Sequence, residues 1–172
     1  RQIFVIGDHG HDEVVAIADQ VENTIVLSTV EEAEKLKKYK KAGVVSQSTQ
    51  TIENVQEIIN VLMEKVFDLH FVNTICYPTK RNQEQIKTLA NECDVMIIIG
   101  SFTSANSKRL TLLAKEINKN TYQITSASEL DFSWFKNCSK VGISAGASTP
   151  DYLIKEVNDK LNPIMMKIYS EG

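Results

Sequence analysis

Five short polar segments hold the residues of this chain whose types suit chemistry. They are residues 7–13, 46–49, 75–79, 100–107 and 144–150. Each segment follows an apolar run and precedes a helical pattern, so each is expected where a strand ends and a helix begins. Open α/β proteins bind their ligands at the carboxyl ends of parallel strands. The segments therefore predict a ligand site made of small polar side chains, one thiol and one His-x-Glu sequence.

The first segment places an imidazole and a carboxylate two residues apart, at His11 and Glu13. In a turn, the two side chains can converge on one ligand, with His11 hydrogen-bonding an anion and Glu13 moving a proton. An ordinary helix start is the alternative, because the helix dipole favours acidic residues there and leaves the histidine exposed. The spacing alone leaves both interpretations open.

Hydroxyl and amide side chains begin two of the predicted helices. Ser104, Asn106 and Ser107 precede or open one helix, and Ser148 and Thr149 stand at the start of the last one. Free backbone N–H groups at helix starts bind anions, phosphate above all. Two such starts together predict a diphosphate site, although each loop by itself is also explained by helix capping, which favours the same residue types.

The chain has three cysteines, an odd and widely spaced set. This number and spacing argue against a disulfide framework and against a metal ribbon. Cys76 follows an apolar run and precedes a helix, where a thiolate is favoured as a nucleophile or metal ligand. Cys93 and Cys138 lie beside element ends without a partner motif, and we interpret them as structural fillers. A metal at Cys76 would need further ligands from outside this chain.

Short strands and helices alternate along the chain and position these segments. The apolar runs are rich in β-branched residues and apolar on both faces, which is typical of strands covered by helices on each side. The predicted fold class is α/β, with three layers and mostly parallel sheets. Strands are predicted at 3–6, 24–27, 44–45, 69–72, 95–99, 122–124 and 141–143, and helices at 13–21, 30–38, 52–66, 80–91, 107–118 and 150–161.

The two halves of the chain repeat the same order of elements. A strand ending at Gly7 in the first half matches a strand ending at Gly100 in the second, and Thr49 and Thr149 close similar loops before long helices. Two successive similar α/β units are therefore predicted, at residues 1–70 and 71–161. A C-terminal tail follows at 162–172, and its apolar residues, Ile164, Met165, Met166 and Ile168, suggest part of an interface.

Composition and charge exclude several classes of protein. The 172 residues are 42% hydrophobic and 24% charged, which is ordinary for a chain that buries a core. A net charge of −3 with interspersed signs offers no broad cationic face to nucleic acid. No apolar run approaches the roughly 18 residues of a membrane span, and the first residues lack a signal-peptide layout. We expect no nucleic acid or membrane partner, and a cytoplasmic location, or the plastid stroma or apicoplast in a eukaryote.

Taken together and in this order, the motifs resemble those of the 4-hydroxy-3-methylbut-2-enyl diphosphate reductases, iron–sulfur enzymes of isoprenoid biosynthesis. The similarity runs from Gly7 to Leu161. His-Asp-Glu resembles the family's His-Pro-Glu, Ser-Gln-Ser-Thr its Thr-Gln-Thr-Thr, and Cys-Tyr-Pro-Thr its Cys-Tyr-Ala-Thr. Ser-Ala-Asn-Ser resembles its Ser-Ser-Asn-Ser, and Ala-Gly-Ala-Ser-Thr-Pro-Asp its Ala-Gly-Ala-Ser-x-Pro-Asp. These segments lie at 11–13, 46–49, 76–79, 104–107 and 145–151.

The resemblance implies a role for each matching residue. Cys76 would be one of three thiolates that hold a 4Fe-4S cluster, Glu13 would supply a proton, and Ser48 would orient the substrate hydroxyl and relay that proton. Two electrons and two protons would remove the hydroxyl as water and give isopentenyl and dimethylallyl diphosphate. The residues that would hold the diphosphate are His11, Ser104, Asn106 and Ser148.

The sequence departs from the family in ways that bear on activity. The family has three similar α/β units in pseudo-threefold order, and the match begins at the second. The first unit and its two cysteine ligands are therefore expected to be absent here. In the parent protein, that unit is expected to pack on this chain. Neither Cys93 nor Cys138 stands where those ligands should be, so we expect no retained cluster and an inactive fragment of an active reductase. Ala105 replaces a serine in the diphosphate loop. Ser48 replaces a threonine and keeps the hydroxyl.

Two other functions fit the same residues. A phosphate-binding module without redox chemistry would use the helix starts alone, and a transferase or hydrolase would use Cys76 as nucleophile with His11 and Glu13. For the reductase, the resemblance implies an allylic diphosphate substrate and a ferredoxin or flavodoxin as electron donor.

Overall fold

The computed structural model describes the backbone of residues 1–170 and the side chains of residues 1–163. Strands and helices alternate, as the sequence pattern predicts. The strands are β1 (Gln2–Ile6), β2 (Ile25–Leu27), β3 (Tyr39–Ser46), β4 (Val66–Phe71), β5 (Val95–Ile99), β6 (Thr121–Ile124) and β7 (Val141–Ala145). The helices are α1 (Asp12–Ala18), α2 (Val30–Glu34), α3 (Ile52–Lys65), α4 (Tyr77–Glu92), α5 (Ala105–Ile117) and α6 (Asp151–Ser170), with 3₁₀ turns at Ala127–Glu129 and Phe132–Phe135.

The first unit is a four-stranded parallel sheet in the order β2-β1-β3-β4. Side chains alternate along each strand, so Phe4 and Val44 face one side of the sheet and Ile3 and Val45 the other. Helices α2 and α3 pack on the Phe4 side and form its core. Helix α3 begins at residue 52, as the sequence predicts, because the Thr51 hydroxyl accepts a hydrogen bond from the Asn54 N–H at 3.2 Å.

The second unit is a three-stranded parallel sheet in the order β6-β5-β7. Every residue of β5 is buried, because this central strand is covered on both faces. Its odd-numbered residues pack with α6, and its even-numbered residues pack with α4 and α5. The predicted α/β class is confirmed, and every strand pair in the described part of the chain is parallel.

Hydrogen bonds show that the two units repeat the same backbone path. The N–H of Gly7 donates to Leu27 O at 3.0 Å, and its counterpart Gly100 donates to Ile124 O at 2.9 Å. After the third strand of each unit, Gln47 N–H donates to Ile6 O at 2.8 Å and Gly146 N–H to Ile99 O at 3.0 Å. The second unit therefore follows the first at an offset of 93 residues for the first strand and 99 for the third, where Gln47 matches Gly146.

The boundary between the units differs from the predicted one at 70/71. The chain divides into Arg1–Lys80 and Arg81–Gly172. Strand β4 pairs with β3, and beyond it Val72 N–H still donates to Val44 O at 2.9 Å. The link continues through Cys76, so the first unit holds residues 71–80 as well.

The C-terminal segment also differs from the prediction of a tail at 162–172. Helix α6 continues from Asp151 to Ser170 and includes Pro163. The side chains at 164–168 that suggested an interface lie outside the described ones, as do residues 171–172. No helix in the described residues has the length and hydropathy of a membrane span.

Candidate functional site

His11 stands at the N-terminus of α1, directly before Asp12. Its backbone is extended, and its Nδ1 accepts a hydrogen bond from the N–H of Glu13 at 3.2 Å. Because Nδ1 acts as the acceptor, a neutral His11 carries its proton on Nε2. The sequence did not predict this cap, and His11 is half-buried rather than exposed as the ordinary helix start implied. The bond leaves an N–H donor on the other side of the ring.

Glu13 and Ser48, the two predicted catalytic residues, contact each other. The Glu13 Oε1 accepts from the Ser48 N–H at 2.7 Å, and Oε2 accepts from the Ser48 Oγ at 2.9 Å. Both residues are half-buried. Their elements meet because α1 follows β1 and the Ser48 turn follows β3, and these two strands are neighbours in the sheet. The carboxylate is thus fixed on both oxygens by one residue.

Gln47 ties the loops that carry this pair, a role that the sequence motif did not suggest. Its side chain is fully buried. Its Oε1 accepts from the Asp8 N–H at 2.9 Å, and its Nε2 donates to the Thr49 hydroxyl at 3.0 Å. The burial of this amide between the loops after β1 and β3 identifies its linking role. Sequence reasoning missed that role because the sequence alone does not show the burial.

Cys76 joins the same edge of the first unit. Its N–H donates to the Ser48 carbonyl at 3.0 Å, and its own carbonyl accepts from the Lys80 N–H at 3.1 Å at the start of α4. The thiol is half-exposed, and its Sγ lies 2.9 Å from the hydroxyl of the fully buried Thr79. One edge of the first sheet therefore carries His11, Glu13, Ser48 and Cys76. Thr79 is part of the same sequence motif, but the sequence did not predict its contact with the Cys76 thiol.

In the second unit, Ser104 caps α5 and Asn106 lies within its first turn. The Ser104 hydroxyl accepts from the Ser107 N–H at 3.3 Å. Asn106 is only 7% exposed, and its buried Nδ2 has no hydrogen-bond partner among the described residues. A buried donor without a partner costs free energy, so this amide is suited to an acceptor that binds there.

The loops after β5 and β7 close around Ser107. A Cβ added to either Gly100 or Gly146 would lie 2.3 Å from the Ser107 Oγ, so both positions require glycine for this close approach. Ser148 is exposed in the turn that Thr149 N–H closes on Gly146 O at 2.9 Å. Ser104, Asn106 and Ser148 thus belong to loops at the same edge of the second sheet.

The predicted capping role of Thr149 differs from what the structure shows. Its hydroxyl donates to the Ile99 carbonyl at 2.9 Å, which pins the turn to the end of β5. The sequence predicts Pro150 as the first helical residue, but helix α6 begins one residue later, at Asp151. The Thr149 hydroxyl thus binds the neighbouring strand β5 instead of capping the helix that follows it.

The other two thiols differ from Cys76. Burial raises the pKa of both Cys93 and Cys138, so both thiols stay protonated at neutral pH, as suits packing residues. Within the described residues, no group of three His, Cys, Asp or Glu side chains is arranged to hold a metal ion. Cys76 is therefore not part of a complete set of metal ligands among the described residues.

Comparison with known proteins gives one consistent family. A family model described as LytB protein matches residues 1–162. The chain is 42% identical over 160 residues to the 4-hydroxy-3-methylbut-2-enyl diphosphate reductase of Geobacter sulfurreducens, covering 92% of this chain and 57% of that protein. It is 39% identical to the Aquifex aeolicus reductase, covering 94% of this chain and 57% of that protein.

Two solved structures are similar as well. A structure of (E)-4-hydroxy-3-methyl-but-2-enyl diphosphate reductase, described as the terminal enzyme of the non-mevalonate pathway, matches with a TM-score of 0.57 and 38% identity over 94% of this chain and 59% of its own. The E-1-hydroxy-2-methyl-but-2-enyl-4-diphosphate reductase of Plasmodium falciparum matches with a TM-score of 0.89 and 26% identity over 95% of this chain and 54% of its own. The chain thus spans somewhat more than half the length of these relatives.

Proposed function

The chain belongs to the LytB family, since the family match covers residues 1–162, and we propose that it forms part of a 4-hydroxy-3-methylbut-2-enyl diphosphate reductase. The reaction would take up two electrons and two protons, break the allylic C–O bond, release water, and give isopentenyl and dimethylallyl diphosphate. A ferredoxin or flavodoxin would supply the electrons. The similarity to reductases of this kind supports the proposal, and the geometry of Glu13 and Ser48 carries it.

The proton path is the step for which this chain offers the most direct support. Glu13 Oε2 and Ser48 Oγ are 2.9 Å apart, a distance that suits proton transfer between oxygens. A protonated Glu13 would donate to Ser48 Oγ, and Ser48 would donate its own hydroxyl proton to the departing oxygen of the substrate. The second bond, from Ser48 N–H to Oε1 at 2.7 Å, holds the carboxyl group in the orientation that this relay needs.

We assign the diphosphate to side chains that can donate hydrogen bonds. The capping bond of His11 uses Nδ1 and leaves its Nε2–H as a donor. The Nδ2 of Asn106, without a partner among the described residues, offers a buried donor. Ser104 and Ser148 would add hydroxyls at their respective loops. Donors at helix starts favour a group of high negative charge, which agrees with a diphosphate.

Cys76 would hold one corner of a 4Fe-4S cluster. When bound, that cluster supplies the electrons and a Lewis-acidic iron at the C–O bond. The Thr79 hydroxyl lies 2.9 Å from the Cys76 sulfur, a contact that would orient this sulfur as a ligand. Because the described residues offer one thiol at the site, we propose that residues 1–172 alone retain no cluster and have no reductase activity.

A phosphate-binding module without redox chemistry is the second candidate function. The buried Nδ2 of Asn106, which has no hydrogen-bond partner among the described residues, favours it, because this amide can bind a phosphate group without iron. Phosphate affinity that is the same with and without iron, and the same in Cys76→Ser, would support this candidate.

The proposal is tested by anaerobic reconstitution with iron and sulfide, applied to residues 1–172 and to a family-length protein that contains them. We expect about four irons and reductase activity only in the longer protein. Cys76→Ser should abolish both, whereas the matched control Cys93→Ser should keep both, because Cys93 packs inside the second unit. Glu13→Gln should keep the iron and lose most of the activity.

Two results would overturn the assignments. Uptake of four irons by residues 1–172 alone would contradict the single-ligand role of Cys76. Full activity of Glu13→Gln in the longer protein would exclude Glu13 as the proton donor.

A further inference from the structure

A groove with lysines on its rim lies at the amino ends of β3 and β4. Its volume is about 780 Å³, which is enough to hold several side chains of a partner molecule. Its lining carries one acidic residue, Glu64, and four lysines. These are Lys38, Lys40, Lys41 and Lys65.

Two large apolar side chains in this groove face solvent. Phe67, the second residue of β4, is 97% exposed, and Met63, in the last turn of α3, is 66% exposed. Single exposed apolar residues are ordinary on a protein surface, but two that line one groove indicate a surface that binds a partner. The backbone beside them is fixed, because α3 passes into β4 without a loop and Val66 is buried.

The pairing of β3 with β4 sets a lysine opposite the exposed phenylalanine. The register pairs position 39 with 66 and position 41 with 68, so Lys40 lies opposite Phe67. Lys38 directly precedes the first residue of β3 and lines the same groove. The groove therefore presents an aromatic ring and two ammonium groups together.

The charge of the groove is opposite to that of the whole chain. The chain has a net charge of −3, whereas four lysines and one glutamate line the groove. Lys41 forms an ion pair with Asp68 at 3.4 Å. Lys38 and Lys40 are exposed, and among the described residues neither has an acidic side chain within ion-pair distance. These two ammonium groups are therefore suited to carboxylates of a partner.

We propose that this groove binds an acidic segment of a partner protein. The segment places an apolar side chain against Met63 and Phe67, and its carboxylates lie beside Lys38 and Lys40. An apolar centre with a charged rim is the usual construction of a protein interface. The concave shape does not fit a flat anionic membrane. A peptide can place its carboxylates away from Glu64, whereas a nucleic acid carries a phosphate at every nucleotide.

The groove lies at the opposite edge of the first sheet from the candidate functional site. The eight residues of β3 separate its lysines from the turn that carries Ser48, which is roughly 25 Å along the strand. The partner therefore does not contact Glu13, Ser48 or Cys76, and it is distinct from an electron donor that acts at Cys76. The inference holds whether or not the proposed reductase activity is correct.

Fluorescence anisotropy of a labelled synthetic peptide tests the proposal. In this peptide, aspartates and glutamates flank a leucine-phenylalanine pair, and the full chain of residues 1–172 is added to it. We expect saturable binding that weakens by about tenfold or more when the acidic residues are replaced by their amides. Phe67→Ala should also raise the Kd by about tenfold, and this variant should fold normally because the side chain is exposed. Absence of binding, or an unchanged Kd in Phe67→Ala, would overturn the proposal.

Charge-reversed variants distinguish this groove from a general electrostatic attraction. Lys38→Glu combined with Lys40→Glu should raise the Kd by about tenfold or more at low salt. Lys115→Glu combined with Lys119→Glu changes the net charge equally at exposed positions of the second unit. This control should leave the Kd within about twofold of the original, and equal losses in both variants would contradict binding in the groove.

Other anionic partners and a longer protein complete the test. The proposal is wrong if phosphatidylserine vesicles or a single-stranded oligonucleotide bind more tightly than the peptide and Phe67→Ala abolishes that binding. A family-length protein that contains residues 1–172 should bind the peptide with the same Kd. Loss of binding in that protein would mean that another part of it covers the groove, which would also overturn the proposal.

Discussion

Replacing Asn106 with leucine should stabilise this chain while removing a proposed phosphate ligand. The Asn106 side chain is 7% exposed, and its Nδ2 has no hydrogen-bond partner among the described residues. Natural proteins keep such groups where function needs them. Leucine has a similar volume and no polar atom, so Asn106→Leu exchanges an unsatisfied donor for an apolar contact.

The expected gain follows from the cost of the unsatisfied donor. A buried donor without a partner costs about 1–3 kcal/mol. The imperfect fit of a branched side chain costs up to about 1 kcal/mol in return, so we expect a net stabilisation of about 1–2 kcal/mol. For a chain of this size, that gain corresponds to a rise of about 2–8 °C in the thermal midpoint.

The assay is thermal and urea unfolding with and without pyrophosphate. Pyrophosphate at ten times its Kd should stabilise the original chain by about 1.4 kcal/mol, and this increment should be absent in Asn106→Leu. Asn118→Leu, at the residue that follows the same helix, is the matched control. The Asn118 Nδ2 donates to Cys93 O at 2.6 Å and its Oδ1 accepts from Asn120 N–H at 2.9 Å, so that variant should be destabilised.

Two outcomes would refute the reasoning on Asn106. Destabilisation of Asn106→Leu to the same extent as Asn118→Leu would mean that the Asn106 amide is satisfied in solution. An unchanged pyrophosphate increment in Asn106→Leu would mean that the amide does not contact the anion.

Three further perturbations test the site and its supports. Glu13→Gln leaves one acceptor for the two hydrogen bonds that the carboxylate accepts, and urea unfolding should show a loss of about 1 kcal/mol. Gly146→Ala places a Cβ 2.3 Å from the Ser107 Oγ; it should cost about 1–3 kcal/mol by calorimetry, and Ser107→Ala should restore much of that loss. The Lys140 backbone N–H holds the pKa of Asp94 below its ordinary value of 3.8. The stability that Asp94 contributes is fully present above pH 3.8 and is lost as the pH falls through the lower folded-state pKa. When the free energy of unfolding is measured against pH, Asp94→Asn should therefore lose less stability in acid than the original chain.

The sequence predicts the α/β fold class correctly because apolar strands and amphipathic helices alternate clearly in both units. The five residues of β5 are all apolar and all buried, and a strand of this kind needs helices on both faces. The repeat was visible because Gly7 and Gly100 follow equivalent strands. The neighbouring strands β1 and β3 then bring the predicted Glu13 and Ser48 together, although their catalytic roles remain predictions.

The remaining features depend on contacts that are distant in sequence. The first unit extends to Lys80 because β4 pairs with β3 and the Cys76 N–H binds Ser48 O, and strand pairing over such a separation leaves no local signal. Thr149 has the sequence of a cap, but the Ile99 carbonyl takes its hydroxyl. The burial of Asn106 and the Thr79 contact with Cys76 are likewise set by packing.

The repeat places the proposed proton donor of the first unit and the proposed anion ligand of the second unit at one equivalent position. Glu13 and Asn106 are counterparts at the offset of 93, each at the second residue of its helix. Their environments differ at the turn after the third strand, where the offset of 99 pairs Ser48 with Ala147. Ser48 gives Glu13 two hydrogen bonds, whereas Ala147 has no side-chain group to accept from the Asn106 amide. The same backbone therefore holds a carboxylate by two hydrogen bonds in one unit and, in the other, a buried amide without a hydrogen-bond partner among the described residues.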